Sequence, residues 1–471
     1  MRCLHVSAII HFGTDGWRAR TDGTFTEANV LRIAEAAADI WQSCHPGATV
    51  YVGYDVRPES RGFAELAAGA IAAQGLNAVL CERYVPTPAL AWAAAHDGDA
   101  CGALMVTGSH HPQGYLCIKL RMGDGSTANQ DFIEELEGKV APEPMALSDS
   151  YKTLDIIPSY IDALERFVDA DAIAAAHLHV VVDPLYGAAR GYLAQALRDL
   201  GCEVHELHAA EMPEGEEMRP DPVEPWVDAC ERAVVEDGAY AGLLNDGDAD
   251  RVGAVDERGR FVHPHQIMAL VLGELVVRRG MAGRVVVNLS CSTLVKRFAE
   301  ALGCRVTVKP IGFKHIAAEM QKGDVLMGGE EAGGIGVAEH MPERDGLLVN
   351  LLLCELMAKT GKPLGALIDE MEAAFGRTWY ARRDLRLEAE VIETLRTLLP
   401  GVNPQTVNGK VPKSVSHMDG LRLDFEDGTW LLLRPSGTEP VVRVYAEAFS
   451  IEDRDALLDA GCAMARGEIT L

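Results

Sequence analysis

The sequence predicts three related α/β domains, each with a largely parallel sheet, followed by a smaller α+β domain. Its 471 residues exceed what one hydrophobic core usually holds. A strand–loop–helix–glycine–strand unit recurs three times. The last hundred residues change character: alternating strands, then a closing helix.

The first unit reads VYVGYD, a helix, then AAQGLNAV over residues 50–79. Its helix, SRGFAELAAGAIAAQG (60–75), ends at a glycine, as helix C-caps prefer. The second reads VVVDPLYG, a helix, then RDLGCEV over 180–204. The third reads VVVNLS, a helix, then EALGCRV over 285–306. Any α/β protein repeats this order. Three copies, two of them sharing Leu-Gly-Cys-x-Val, point to related domains. Breaker-rich stretches such as APEPMALSDS (141–150) mark linkers. The expected domains are 1–147, 148–254, 255–372 and 373–471. The last contains the strands LRLDF, TWLLLRP and VVRVYAEA and a helix over 452–465.

Composition narrows the function. The net charge of −27 makes nucleic acid and anionic membrane poor partners. An anionic substrate would need a locally positive site or a divalent metal. No apolar run approaches the roughly 20 residues of a membrane-spanning helix. The N-terminus lacks a signal-peptide pattern, and the eleven cysteines form no CxxC pair, so a cytoplasmic protein with reduced thiols is expected.

Five stretches carry chemistry. In VTGSHHPQGY (106–115), Ser109 follows an apolar run and lies between structure breakers. Locally it is either a turn former or a nucleophile held toward a substrate. In NDGDADR (245–251), Asp246, Asp248 and Asp250 alternate along a loop after an apolar strand. Such carboxylates can converge on a hard cation, or line a solvated turn. The loop resembles the start of an EF-hand, but a strand follows where a helix belongs, which leaves a calcium-binding protein remote. Three carboxylates with room for a phosphate oxygen favour Mg²⁺. In LRPSGTEPVVRVYAEA (433–448), Arg434, Ser436, Gly437, Thr438 and Arg443 surround a tight turn, an anion nest or a plain hairpin. In MGGEEAGGIG (327–336), Glu330 and Glu331 lie between glycine pairs, where carboxylates can accept from sugar hydroxyls. HFGTDGWRAR (11–20) offers Arg18 and Arg20 to an anion. Lys119, ten residues after Ser109, either swings toward the serine or snorkels at the surface. A serine, a metal loop, a hydroxyl-binding loop and a phosphate nest, one per domain, are what phosphoryl transfer between a serine and a phosphosugar requires.

FGTDGWR, TGSHHP, DGDADR, GEEAGG and RPSGTEP, in this order, resemble the α-D-phosphohexomutase family of phosphoglucomutases, phosphomannomutases and phosphoglucosamine mutases. The resemblance spans essentially the whole chain. It implies three α/β domains with mixed sheets and a TATA-box-binding-protein-like fourth domain around a central cleft. It implies a phosphoserine at Ser109 and one Mg²⁺ held by Ser109, Asp246, Asp248 and Asp250, with Arg251 beside it. It gives Lys119 acid–base work and places Arg18 and His110 in the active site, with His111 where many members carry asparagine. It assigns Glu330 to sugar hydroxyls and the 434–443 cluster to the non-transferring phosphate. The expected reaction moves phosphate between O1 and O6 of a hexose through a hexose 1,6-bisphosphate, which also serves as activator. One departure is Ala332, where many members carry serine, so one sugar contact is missing. The GEE sequence leans toward glucose or mannose over glucosamine. PIGFKHI (310–316) resembles the family's specificity loop, with Lys314 or His315 as a sugar contact or a structural residue. The alternatives are a phosphoglucosamine mutase and, remotely, a phosphosugar-binding protein without catalysis. A monomer and a dimer both remain open.

Overall fold

A computed structural model describes residues 8–144, 146–437 and 440–468. The first sheet has the order Trp17–Arg20, Tyr115–Met122, Ala100–Thr107, Thr49–Tyr54, Asn77–Cys81, Lys152–Leu154. The second runs Phe261–Val262, Val252–Asp256, Ala241–Asn245, His179–Asp183, Glu203–Glu206, and the third Val306–Lys309, Arg284–Asn288, Val325–Gly329, Ile335–Val337.

These three sheets share one plan. Two neighbouring parallel strands, joined by a helix, are the recurrent unit seen in the sequence. A third strand pairs parallel to the first of them: Ala100–Thr107, Ala241–Asn245 or Val325–Gly329. The chain then turns back, and the next strand pairs antiparallel. The sheets are therefore mixed rather than largely parallel. The reason is local: the connection between those last two strands is a few residues long, and a short loop can only join antiparallel neighbours.

Sheet pairing also moves two expected boundaries. Lys152–Leu154 pairs parallel with Val79–Cys81, so the first sheet reaches past residue 147. The boundary at 254 falls inside the strand Val252–Asp256, which must pair back onto Ala241–Asn245.

The fourth sheet is wholly antiparallel, in the order Trp379–Arg386, Val441–Ala448, Trp430–Pro435, Leu421–Phe425, Pro412–Ser416. One face packs on the helices Ala389–Leu398 and Ile451–Ala465 through Leu421, Leu431, Leu433, Val442, Val444 and Leu457. The other carries Trp430, Leu432 and Tyr445 against Leu289 of the third domain. A buried carboxylate fastens this second face. Glu447 accepts from Trp430 Nε1 (2.7 Å), Thr293 N (2.8 Å), Thr293 Oγ1 (2.9 Å) and Ser292 Oγ.

The helix Gly346–Thr360 lies at the centre. Its sequence is apolar on nearly every side, and residues 346–357 are all buried, as expected of a helix covered all round. Asp345 caps it by accepting from Leu348 N, and also receives Tyr160 Oη at 2.9 Å from the second domain. No helix among the described residues is long and apolar enough to cross a membrane. All ten described cysteines are free, nine of them buried.

Glu447→Ala leaves the Trp430, Ser292 and Thr293 donors without an acceptor in a dry interface. A loss of about 2–4 kcal/mol is expected. Calorimetry should show a lowered transition for the fourth domain, and an unchanged thermogram would refute the fastening role.

Candidate active site

Each of the three short turns between antiparallel strands presents one of the predicted motifs: residues 108–114 the serine, 246–251 the aspartates, 330–334 the glutamates. The shared sheet plan points all three at one place.

Ser109 is buried and has φ 46°, a left-handed conformation that a non-glycine residue holds only when its surroundings impose it. The imposing groups follow the strand Thr49–Tyr54. Asp55 accepts from Gly108 N (2.7 Å) and Thr107 Oγ1 (2.8 Å). Arg57 donates to the carbonyls of Pro112 (2.7 Å), Tyr115 (3.0 Å), Ser109 (3.3 Å) and His111. The loop is thus clamped on both sides. Ser109 Oγ donates to Asp246 Oδ2 at 3.2 Å and lies 3.3 Å from His110 Nδ1. Burial and the Arg251 charge push His110 well below the usual histidine range, and burial and Arg18 bring His111 to about 2. Arg18 hydrogen-bonds His111.

The aspartate loop touches the serine loop backbone to backbone. A Cβ on Gly247 would sit 2.2 Å from the Ser109 carbonyl oxygen, so only glycine fits there. From the other side, Gly346 N donates to Ala249 O (3.1 Å), and a Cβ on Gly346 would come within 2.3 Å of Asn245 Nδ2. Thr87 Oγ1 reaches Asp248 Oδ2 at 2.6 Å. Ligand oxygens of Asp246, Asp248 and Asp250 all lie within 4.8 Å of one another, and the three side chains are buried. Asp248 Oδ1 and Asp250 Oδ1 are buried without a hydrogen-bond partner. Orphaned, convergent carboxylate oxygens fit a hard divalent cation. Glu257, twelfth from Asp246, lies beyond a strand and accepts Gly365 N at 2.7 Å, so the EF-hand likeness ends with the loop.

Lys119 does turn inward. Its Nζ lies 2.7 Å from Asp248, 2.7 Å from Asp250 and 3.0 Å from Asp15. Burial opposes its charge, but the three carboxylates outweigh burial and hold the ammonium well above the usual lysine range. Asp246, further from that cation, goes the other way: burial and the Asp248 charge raise it well above the usual carboxylate range. Arg344, from the residues leading into the central helix, completes the lattice. It contacts Asp15 (2.6 Å), Asp250 (3.0 Å) and, at 4.0 Å, Glu330.

Glu330 is buried and accepts from Gly312 N (3.0 Å) and Asn288 Nδ2 (3.3 Å). Burial, only partly offset by Arg344, pushes its carboxyl up to about 7. Glu331 is occupied otherwise: Asn288 Nδ2 and Ser290 Oγ both hold it at 2.7 Å. Ala332 is half-buried between Glu331 and Gly333. In the fourth domain, Arg434 Nε donates to Asp419 Oδ2 (2.9 Å), Ser436 is buried beside Gly437, and Arg443 is 3.8 Å from Asp384. Thr438 lies outside the described residues.

The structure therefore brings Ser109, His110, Lys119, Asp246, Asp248, Asp250 and Arg251 together. Arg251 N donates to Asp246 Oδ1 at 3.0 Å, and its guanidinium pairs with Asp221 at 3.4 Å. The other cationic candidates lie further out. Arg20, at the end of the edge strand Trp17–Arg20, is exposed and paired with Asp22 at 2.6 Å. Lys314 hydrogen-bonds Gln130 of the first domain at 2.9 Å, and His315 is half-buried. Sequence reasoning missed Asp15, Arg57, Arg344 and Asp419. Asp15 stood inside a quoted motif; the others carried no local signal.

Three α/β domains whose turns converge on a buried serine, an aspartate triad and a cation lattice, followed by a fourth, antiparallel domain, form the architecture of a phosphohexomutase. Family profiles agree along the chain. Those described as Phosphoglucomutase/phosphomannomutase alpha/beta/alpha domains I, II and III match residues 10–145, 158–259 and 263–375, and the C-terminal domain matches 402–460. A phosphoglucomutase/phosphomannomutase of Thermococcus kodakarensis is 30% identical, covering 96% of this chain and 97% of its own. A phosphoglucosamine mutase of Frankia alni is 31% identical, covering 93% and 94%. The crystal structure of a putative phosphomannomutase from Thermus thermophilus superposes with a TM-score of 0.88 at 35% identity, covering 98% and 100%. The chain belongs to the phosphoglucomutase/phosphomannomutase family and is an isomerase of the phosphohexomutase class.

The raised Glu330 carboxyl has a stability consequence. Between the ordinary glutamate value of 4.5 and about 7, the native state binds more protons than the unfolded chain, so stability falls as pH rises through that window. Glu330→Gln should melt higher than the parent at pH 8 and level with it near pH 4.5. Parallel melting curves at both pH values would contradict this.

Proposed function

We propose that the protein is a phosphoglucomutase/phosphomannomutase that moves phosphate between O1 and O6 of glucose or mannose phosphate. The observation that carries this is Ser109 Oγ, hydrogen-bonded to Asp246 at 3.2 Å in a loop held with Ser109 at φ 46° beside the aspartate triad. In the working enzyme Ser109 carries phosphate. The P–O bond to Oγ breaks as one to a sugar hydroxyl forms, and in balance the hydroxyl's proton passes to Oγ. The resulting hexose 1,6-bisphosphate reorients and returns its other phosphate to Ser109; free bisphosphate serves as activator.

The residues divide the work. Asp246, Asp248, Asp250 and Ser109 hold Mg²⁺, which when bound offsets phosphate charge and favours loss of the Oγ–phosphoryl bond. Lys119 is the acid–base residue: its ammonium can donate to the serine oxygen left behind. Arg18, Arg251 and His110 face the transferring phosphate. Glu330 accepts from sugar hydroxyls. Arg434, Ser436, Gly437, Thr438 and Arg443 bind the phosphate that stays. The work needs no partner beyond the small phosphosugar, and we place it in the cytoplasm.

A second reading, phosphoglucosamine mutase, is supported by the Frankia alni relative's name. Phosphorus NMR with glucose 1-phosphate, mannose 1-phosphate and glucosamine 6-phosphate, each with Mg²⁺ and a trace of matching bisphosphate, separates the two. Migration on glucose or mannose is expected; migration on glucosamine alone transfers the assignment.

Ser109→Ala should abolish turnover and phosphate incorporation while leaving the melting temperature within a few degrees. Retained activity would remove the serine from the reaction. Asp248→Asn should lose Mg²⁺-stimulated activity, and an unaltered Mg²⁺ response would remove it from the metal site.

A further inference from the structure

The phosphate nest and the sugar carboxylate lie in different domains, yet one carboxylate joins them. Asp419 precedes the strand Leu421–Phe425. Its Oδ2 accepts from Arg434 Nε at 2.9 Å and, on the same oxygen, from Ile311 N at 3.0 Å. The next residue, Gly312, donates its own N–H to Glu330 Oε1 at 3.0 Å. Two consecutive amides of one turn therefore point at two carboxylates, one in the fourth domain and one in the third. The turn is gripped a second way, because Ile311 packs its side chain against the Trp430, Leu432 and Tyr445 cluster. Gly312 has φ +122°, a conformation that other residues rarely hold.

We propose that Asp419 is a positioning residue that couples the fourth domain's grip on phosphate to the third domain's grip on the sugar. This rests on the mutase reading for the identity of the ligand. Asp419 occupies Nε of Arg434, which leaves the two terminal nitrogens of the guanidinium to the phosphate. It simultaneously pins the 310–312 turn, and through Gly312 N fixes the direction of Glu330. A phosphosugar reoriented inside the site must meet the same pair of grips in both orientations. A shared carboxylate keeps their separation constant whichever end of the bisphosphate is held.

The test is a cycle of Asp419→Ala and Glu330→Gln, with Asp419→Asn as the conservative variant. Kinetics use glucose 1-phosphate with a trace of glucose 1,6-bisphosphate. Asp419→Ala should raise KM about tenfold, with a smaller change in kcat, the scale of one charged hydrogen bond. Asp419→Asn keeps an acceptor for Ile311 N and should recover part of that loss. The double variant should be less impaired in kcat/KM than the product of the single effects by about fivefold or more. Multiplicative effects, or a KM within twofold of the parent for Asp419→Ala, would overturn the coupling.

A second readout is independent of turnover. Hydrogen exchange across residues 309–316, with and without saturating inorganic phosphate, should show phosphate-induced protection in the parent and none in Asp419→Ala. Equal protection in both overturns the proposal even if catalysis fails. A parent that turns over no hexose phosphate, yet shows the protection difference, would sink the mutase reading and leave the coupling standing.

Discussion

Three aspartates within six residues cannot remain ionised away from water unless positive charge is brought to them. Everything around the site answers that constraint. The cations come from elsewhere: Lys119 from the first domain and Arg344 from the third, with Asp15 bridging the two. What they leave uncompensated is Asp246, whose raised carboxyl and contact with Ser109 mark the side where a divalent ion would finish the balance. The same constraint gathers cations beside the serine loop of a chain whose net charge is −27.

The second organising feature is a repeated clamp. In each α/β domain the residues after the first parallel strand brace the functional turn. Asp55 and Arg57 brace the serine loop, and Asn288 and Ser290 brace the glutamate loop. In the second domain Ala188 N donates to Gly247 O at 2.8 Å. A parallel strand ends beside the strand that leads into the turn, so its following residues are the nearest available buttress. One plan, used three times, yields three rigid loops with different chemistry.

Rigid loops alone do not make one site. The domains are stitched across their boundaries by buried polar groups whose partners lie far apart in sequence. Tyr160 meets Asp345, Thr87 meets Asp248, and Glu447 meets Ser292 and Thr293. Each is costly to leave unpaired, so the domains settle where all are satisfied. The fourth domain is held to the third by Glu447 and, beside Arg434, by Asp419, which accepts from Ile311 N.

The sequence by itself determined the three-fold repeat, the antiparallel last domain and the motif residues. Strand and helix periodicity, glycine turns and closely spaced carboxylates are local properties that need no knowledge of neighbours. It singled out Ser109, Lys119 and the aspartates, but left open how the serine loop is held and whether the lysine faced out. Only tertiary structure decided those points. Lys119 is buried because carboxylates from two other segments surround it, and Ser109 is strained because Arg57, some fifty residues earlier, holds its loop. Arg20 shows the converse: it shares a motif and a strand face with Arg18, yet it lies at the strand's end, exposed and paired with Asp22. Arg344, Arg57 and Asp419 were invisible in the sequence because a lone charged residue acquires meaning only from the opposite charges that folding sets beside it.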